Sequence, residues 1–316
     1  MVWCRRGGHG QGVSQPGRIC NRRSGFHGLK RQGARASPWR RARPAGARDD
    51  AAPLPRIAMT YQHLLLTVDG RQATVQLNRP GARNAMSQGL MRELLQVARE
   101  LAERIDVDVV LLTGNATCFT AGADLREGAA WADESLGLLA RREVASLGFR
   151  MCKAWEELPQ ITIVAVEGYA VGGGMALAVA CDWRVVAEDA FVSLPEIALG
   201  IPLTWGAIPR LVNLVGPARA KRLTILCERV PAPDALALGL IDYTAPHGQA
   251  LARAQAVADQ VLALPAAAVR MSKESVNAVA LALNHASSYM GHDQIMLAGA
   301  SAESKAARGA ALKPKA

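Results

Sequence analysis

Aromatic side chains are scarce. Four Phe, six Trp and four Tyr amount to 4% of the chain, although half of all residues are hydrophobic. The core must therefore be assembled from Ala, Leu and Val. Ala and Leu at this density suit helices, and the shortage of aromatics argues against a β-sandwich or barrel. No charge-free run of 18 apolar residues occurs, so no membrane span is expected. Cysteine appears six times, at positions 4, 20, 118, 152, 181 and 227, but never as Cys-x-x-Cys. That argues against a zinc site and against a small disulfide framework. Mostly apolar neighbours indicate reduced thiols in a cytosol-like compartment.

Positive charge is in excess. The formal net charge is +10 over 316 residues, which invites a nucleic-acid reading. The charge is unevenly placed, however. Residues 1–58 carry 13 of the 37 Lys and Arg against two acids, Asp49 and Asp50. Residues 59–316 carry 24 bases and 25 acids, a balance of −1. Bulk attraction for phosphate thus belongs to the N-terminal segment alone, and nucleic acid is not an expected partner of the rest.

Residues 1–58 also hold nine Gly, and Pro at 16, 38, 44, 53 and 55. They show neither helical nor strand periodicity. Such a segment buries too little apolar surface to offset its ordering entropy, so disorder is expected. Three origins fit. The true start lies at Met59, where MTYQHLLLTVDG opens a fold cleanly; or the segment is a disordered basic tail; or it is an Arg-rich targeting peptide. The compartment expected is cytoplasmic, and mitochondrial only under the third.

After residue 58 the pattern becomes regular. Residues 64–68 and 73–77 are β-type runs joined by Asp69-Gly70, a hairpin signal. Ser87 offers an N-cap to an amphipathic helix through Leu90, Leu94, Leu95, Ala98 and Leu101. Residues 107–113 and 161–166 read as strands buried on both faces. A helix is expected over about 134–157 between them. Residues 183–187 and 191–193 are short strands. Beyond Pro195 the chain reads as helix over about 206–214, 217–227, 233–239, 249–262 and 266–308. The expected fold is α/β: strand–strand–helix units over 59–260, followed by a helical C-terminal subdomain over 261–316.

Three stretches could carry chemistry, each where a strand gives way to a loop or helix. Residues 119–125 read Phe-Thr-Ala-Gly-Ala-Asp-Leu, a small-residue loop in which Asp124 could cap the next turn. Gly172-Gly173-Gly174 leaves the backbone bare just before the helix expected from Met175, so a ligand can approach main-chain N–H groups. That suits an anion or an oxyanion; the alternative is a tight turn for close packing. No Gly-Lys-Ser/Thr follows, so this is not a Walker loop. The third stretch, Leu194-Pro195-Glu196, offers one carboxylate among apolar residues, where a raised pKa suits proton exchange near neutrality.

In this order the three stretches resemble the crotonase family, the enoyl-CoA hydratase/isomerase family. Residues 77–86 (LNRPGARNAM) are similar to its N-terminal signature, and 118–125 and 168–177 to its two oxyanion loops. Residues 195–200 are similar to its catalytic-acid segment, and 216–220 and 235–242 to later helices. The resemblance spans about 62–308. It implies a crotonase-like core that binds an acyl-CoA thioester, with the backbone N–H groups of Ala123 and Gly173 holding an enolate oxygen. Glu196 would be the acid/base. Ala82, Arg83 and Asn84 would touch the coenzyme A moiety. Ala121, Asp124, Leu125, Gly172 and Gly174, beside the donors, would complete the binding walls. No metal is implied, and no cofactor beyond coenzyme A as part of the substrate. Relatives form trimers, often paired into hexamers. Apolar residues in the last helices, such as Val276, Val279, Leu281, Leu283, Ile295, Met296 and Leu297, fit such an assembly.

Two positions depart from the family pattern. Hydratases of the family use a second glutamate two residues beyond the last Gly, and Ala176 stands there. Thr204 and Trp205 put bulk where small residues usually line the acyl pocket, so Trp205 either narrows the pocket or closes the water position. With one carboxylate, moving a double bond is favoured over hydration. The alternatives are an authentic 2-enoyl-CoA hydratase and a non-catalytic acyl-CoA-binding homologue. An RNA-binding branch exists, but the −1 balance of residues 59–316 argues against it.

Overall fold

The structure is a computed structural model that describes residues 57–127, 132–282, 284, 288 and 290–313. The expectations for residues 1–56 and for Leu283 lie outside it.

Among the described residues seven strands form the main sheet. The first three, β1 (Ile57–Thr60), β2 (Leu64–Asp69) and β3 (Gln72–Leu77), run antiparallel. Gly70 turns the β2–β3 hairpin with φ +54°, a value glycine adopts without steric cost. From β3 onward the pairing is parallel, through β4 (Val109–Thr113), β5 (Ile161–Val166), β7 (Trp183–Ala187) and β10 (Tyr243–Ala245). Both β4 and β5 are buried at every residue, because helices cover both faces of the sheet.

One layer contains α1 (Gln88–Ala102), α2 (Leu138–Glu156) and α3 (Gly173–Ala178). Leu90, Leu94, Leu101, Trp155 and Leu177 join Val110, Leu112 and Val164 in its core. On the other face α6 (Ala250–Leu262) buries Ala254, Val257 and Val261 against Val109, Leu111, Ile163 and Val185. The expected N-cap is in place: Ser87 Oγ accepts from Leu90 N at 3.1 Å. A second, three-stranded sheet, β6 (Tyr169–Val171), β8 (Phe191–Ser193) and β9 (Arg229–Pro231), has no counterpart in the sequence reading beyond β8. Three-residue strands are too short to show a period.

Three helix boundaries differ from expectation. α2 starts at Leu138, after Gly137 as N-cap. α3 starts at Gly173, so two glycines form its first turn instead of preceding it. The stretch expected as one helix over 266–308 is broken, and among the described residues it includes α7 (Ala266–Ala280), α8 (Gly291–Gly299) and α9 (Ala302–Leu312). Ser301 starts the last by accepting from Ser304 N at 3.1 Å. α4 (Ala207–Ile225) keeps its expected break at Gly216, where φ is +76°, and α5 (Ala232–Leu238) follows. Among the described residues no helix is long and apolar enough to cross a membrane.

Candidate active site

The loop after β4 is held from both sides. Thr120 bridges to Ala170 of β6, and Met86 bridges to Ala123. In the second bridge Met86 N donates to Gly122 O (2.8 Å) and Asp124 N donates to Met86 O (3.1 Å). These bonds use the residues flanking Ala123, so its own N–H faces the opposite side. Gly122 permits this with φ +86°; a Cβ there would lie 2.6 Å from Val171 O and 3.6 Å from Gly173 N. The two loops picked out in the sequence are therefore adjacent. Gly173 heads α3, so its N–H has no acceptor within the helix. Before it, Gly172 (φ +53°) donates to Ser193 O at 2.8 Å.

Glu196 meets this backbone from the far side. A short 3-10 turn, Ile197–Leu199, doubles the chain back, with Leu199 N and Ile201 N both donating to Glu196 O. A Cβ on Gly172 would lie 2.8 Å from Glu196 Oε1. Oε2 is buried without a hydrogen-bond partner. Burial raises the carboxyl from its ordinary 4.5 to about 7, and the group's own backbone N–H offsets this only in part.

Ala123, Gly173, Ala176 and Glu196 line one cavity of about 200 Å³, together with Asp124, Leu125, Thr204 and Trp205. Its remaining wall is mainly apolar, with Met86, Met91, Val144, Ala145, Leu199 and Ile201. Trp205 sits in the left-handed region at φ +57°. Its carbonyl accepts from Arg210 Nη1 at 2.8 Å, and Arg210 is buried in a two-pronged pair with Glu156 (2.7 and 2.8 Å).

Other expected site residues fall elsewhere. Asn84 is fully buried and structural. Its Nδ2 donates to Phe119 O (3.0 Å), its Oδ1 accepts from Arg79 N (2.9 Å), and its carbonyl accepts from Thr120 Oγ1 (2.7 Å). Ala82, Arg83 and Ala121 do not line the cavity either; Ala121 N donates to Arg83 O (3.0 Å), and Arg83 is exposed. Gly172 and Gly174 lie just behind the wall, where a Cβ on Gly174 would meet Thr120 Cγ2 at 2.3 Å. Asp124 does both jobs. It lines the cavity, pairs with Arg79 Nη1 (3.0 Å), and caps the next turn by accepting from Arg126 N (3.1 Å).

Sequence reasoning missed the helical wall: Gly148 on α2, Ile295 on α8, and Arg308 and Leu312 on α9. Ile295, expected on an assembly surface, is 7% exposed. The lone glycine inside α2 was the one available signal, since such a residue usually serves close packing. Among the described residues no cluster of three or more His, Cys, Asp or Glu could hold a metal.

The family model for enoyl-CoA hydratase/isomerase matches residues 70–311. The chain is 35% identical over 222 residues to the probable enoyl-CoA hydratase echA8 of Mycobacterium tuberculosis, covering 69% of this chain and 82% of that one. It is 31% identical over 220 residues to the short-chain-enoyl-CoA hydratase of Clostridium acetobutylicum, covering 69% and 82%. The crystal structure of an enoyl-CoA hydratase from Mycobacterium avium subsp. paratuberculosis superposes with a TM-score of 0.71 at 25% identity, covering 79% of this chain and 96% of that one. The mixed sheet, parallel from β3 onward, with its crossover helices thus has the crotonase fold. The chain belongs to the enoyl-CoA hydratase/isomerase family and is an enzyme of that family.

Proposed function

We propose that this protein binds an enoyl-CoA thioester and moves its double bond, with Glu196 as the single acid/base. The observation that carries the reading is the bare, buried Oε2 of Glu196 in the same cavity as the backbone of Ala123 and Gly173. The thioester carbonyl oxygen accepts from those two N–H groups. Glu196, ionised, removes a proton from C2; the electron pair moves toward the carbonyl and the donors hold the resulting enolate. Glu196 then returns the proton at C4. Losing one such donor typically costs about 2.7–4 kcal/mol of transition-state stabilisation.

Ala176 supports isomerisation over hydration. It is 1% exposed and lines the cavity with a methyl group, so no second carboxylate holds a water there. Trp205 adds bulk on the same side. The second reading, hydration of a 2-enoyl-CoA, is favoured by the relatives, two of which are named enoyl-CoA hydratases. Turnover of 2-enoyl- and 3-enoyl-CoA side by side decides between them. Isomerisation of the 3-enoyl compound should be the faster; faster hydration of the 2-enoyl compound rejects the isomerase reading.

The assembly is a trimer or hexamer in this reading. Val276, Val279 and Leu297 are 65%, 81% and 79% exposed in one chain. Apolar side chains exposed to that degree favour burial between subunits. A stable monomer in sedimentation velocity would reject the assembly.

A further inference from the structure

The indole of Trp205 is clamped. A Cβ on Gly148 of α2 would lie 2.0 Å from its Cε2, and a Cβ on Gly173 would lie 2.3 Å from its Cζ3. The ring therefore fills the gap between two helices at the only kind of residue that leaves room for it. Its backbone is fixed as well, by the φ of +57° and by the Arg210–Glu156 pair gripping its carbonyl. A bulky residue held in that conformation marks a place where the surroundings impose a shape. The ring cannot retreat toward α2, because Gly148 is already in contact.

Its position gives the clamp a consequence. The ring lies on Gly173, the residue whose N–H would hold the thioester oxygen. Carbons attached to that carbonyl would share the cavity with the indole, which lines it together with Val144, Ala145 and Met91. A flat aromatic face packs well on a planar, unbranched enoyl group. A methyl branch or an aryl ring on the same carbons would need space the indole occupies, and tightly packed walls yield little.

Resting on the acyl-thioester reading above, we infer that Trp205 is the specificity-determining residue of this cavity. The Gly148–Trp205–Gly173 clamp restricts the acyl group to one unbranched near the reacting carbons. The residue acts through excluded volume and takes no part in proton transfer.

Binding of saturated acyl-CoA compounds separates this from catalysis. Butyryl-, 3-methylbutyryl- and phenylacetyl-CoA would be titrated calorimetrically into wild type, Trp205→Ala and Trp205→Phe, with thermal melts to verify folding. The affinity ratio of the branched or aryl compound to butyryl-CoA should rise at least tenfold in the Ala variant and by less in the Phe variant. Gly148→Ala should do the reverse, driving the ring into the cavity and weakening butyryl-CoA binding. Unchanged ratios in a folded Phe or Ala variant that still binds butyryl-CoA would overturn this inference alone. Failure of wild type and variants to bind any acyl-CoA would overturn the acyl-thioester reading, and this inference with it.

Discussion

Asp182 and Glu196 are two carboxylates that each flank a short strand, and their surroundings are opposite. Asp182 Oδ2 accepts from Thr162 N (2.8 Å), Thr162 Oγ1 (3.0 Å) and Lys273 Nζ (2.6 Å). Lys273 is itself buried and also donates to Gln160 O at 2.7 Å. This cluster ties α7 to β5 and the start of β7. Glu196 has a buried oxygen with no partner and no cation against it. A carboxylate whose oxygen accepts from a backbone N–H, a hydroxyl and a buried ammonium holds structure. One that is desolvated and left bare costs stability when charged, and that cost makes it basic enough to take a proton. The same chemical group is a fastener in one place and, in the proposed reaction, the acid/base in the other.

Substitutions test this contrast, and the largest effect should come from the reactive side. Glu196→Gln should lower turnover by about 10²-fold or more with little loss of thioester affinity, since the backbone donors remain. In wild type kcat/KM should fall below about pH 7, where Glu196 becomes protonated and ceases to be a base. A Gln variant with normal turnover would remove Glu196 from the mechanism.

The fastening side should respond in stability. Asp182→Ala leaves the Lys273 ammonium buried with a single carbonyl acceptor, which should cost about 3 kcal/mol in urea unfolding. An unchanged midpoint would mean that Lys273 finds solvent.

A smaller effect of opposite sign is expected at Glu196. Its folded pKa of about 7 lies above the ordinary 4.5, so the folded state binds the proton more tightly than the unfolded state does. The relative stabilisation is complete below pH 4.5 and is lost as pH rises through 7. At pH 8 the Gln variant should therefore be more stable than wild type by about 1–3 kcal/mol, and at pH 4 the difference should vanish. Parallel unfolding curves at the two pH values check this. Smallest is the loss of a cap remote from either carboxylate: Ser87→Ala should cost about 1 kcal/mol.

How much of this was legible in sequence depended on how local the cause was. The Asp69-Gly70 turn, the Ser87 cap and the fully buried β5 are set within a few residues, and each stands where the residues put it. The order of the two glycine-bearing loops and Glu196 was readable too, and the structure brings Ala123, Gly173 and Glu196 to one cavity. The internal bonds of Asn84 were not readable, because polarity alone does not say which partners an amide has; its partners lie on segments 79 and 119–120. The helical wall was invisible for a similar reason. Ile295 and Leu312 enter the cavity only because the chain turns at Gly291 and Ser301 and returns over α2 and the 197–199 turn. No periodicity encodes that return.

The glycines carry a further meaning for how the chain tolerates change. At Gly81, Gly137 and Gly309 an added methyl would meet nothing within 4 Å. At Gly122, Gly148, Gly172 and Gly173 it would strike backbone, indole or carboxylate at 2.0–2.8 Å. Alanine scored at every glycine of the gene would thus divide silent positions from damaging ones. The damaging set holds the two glycines of the cavity wall, Gly148 and Gly173, and equally Gly114 and Gly168, where a methyl would meet backbone oxygen at 2.2 and 2.0 Å; viability data would thus report the close backbone approaches that hold the loops as well as the walls of the cavity.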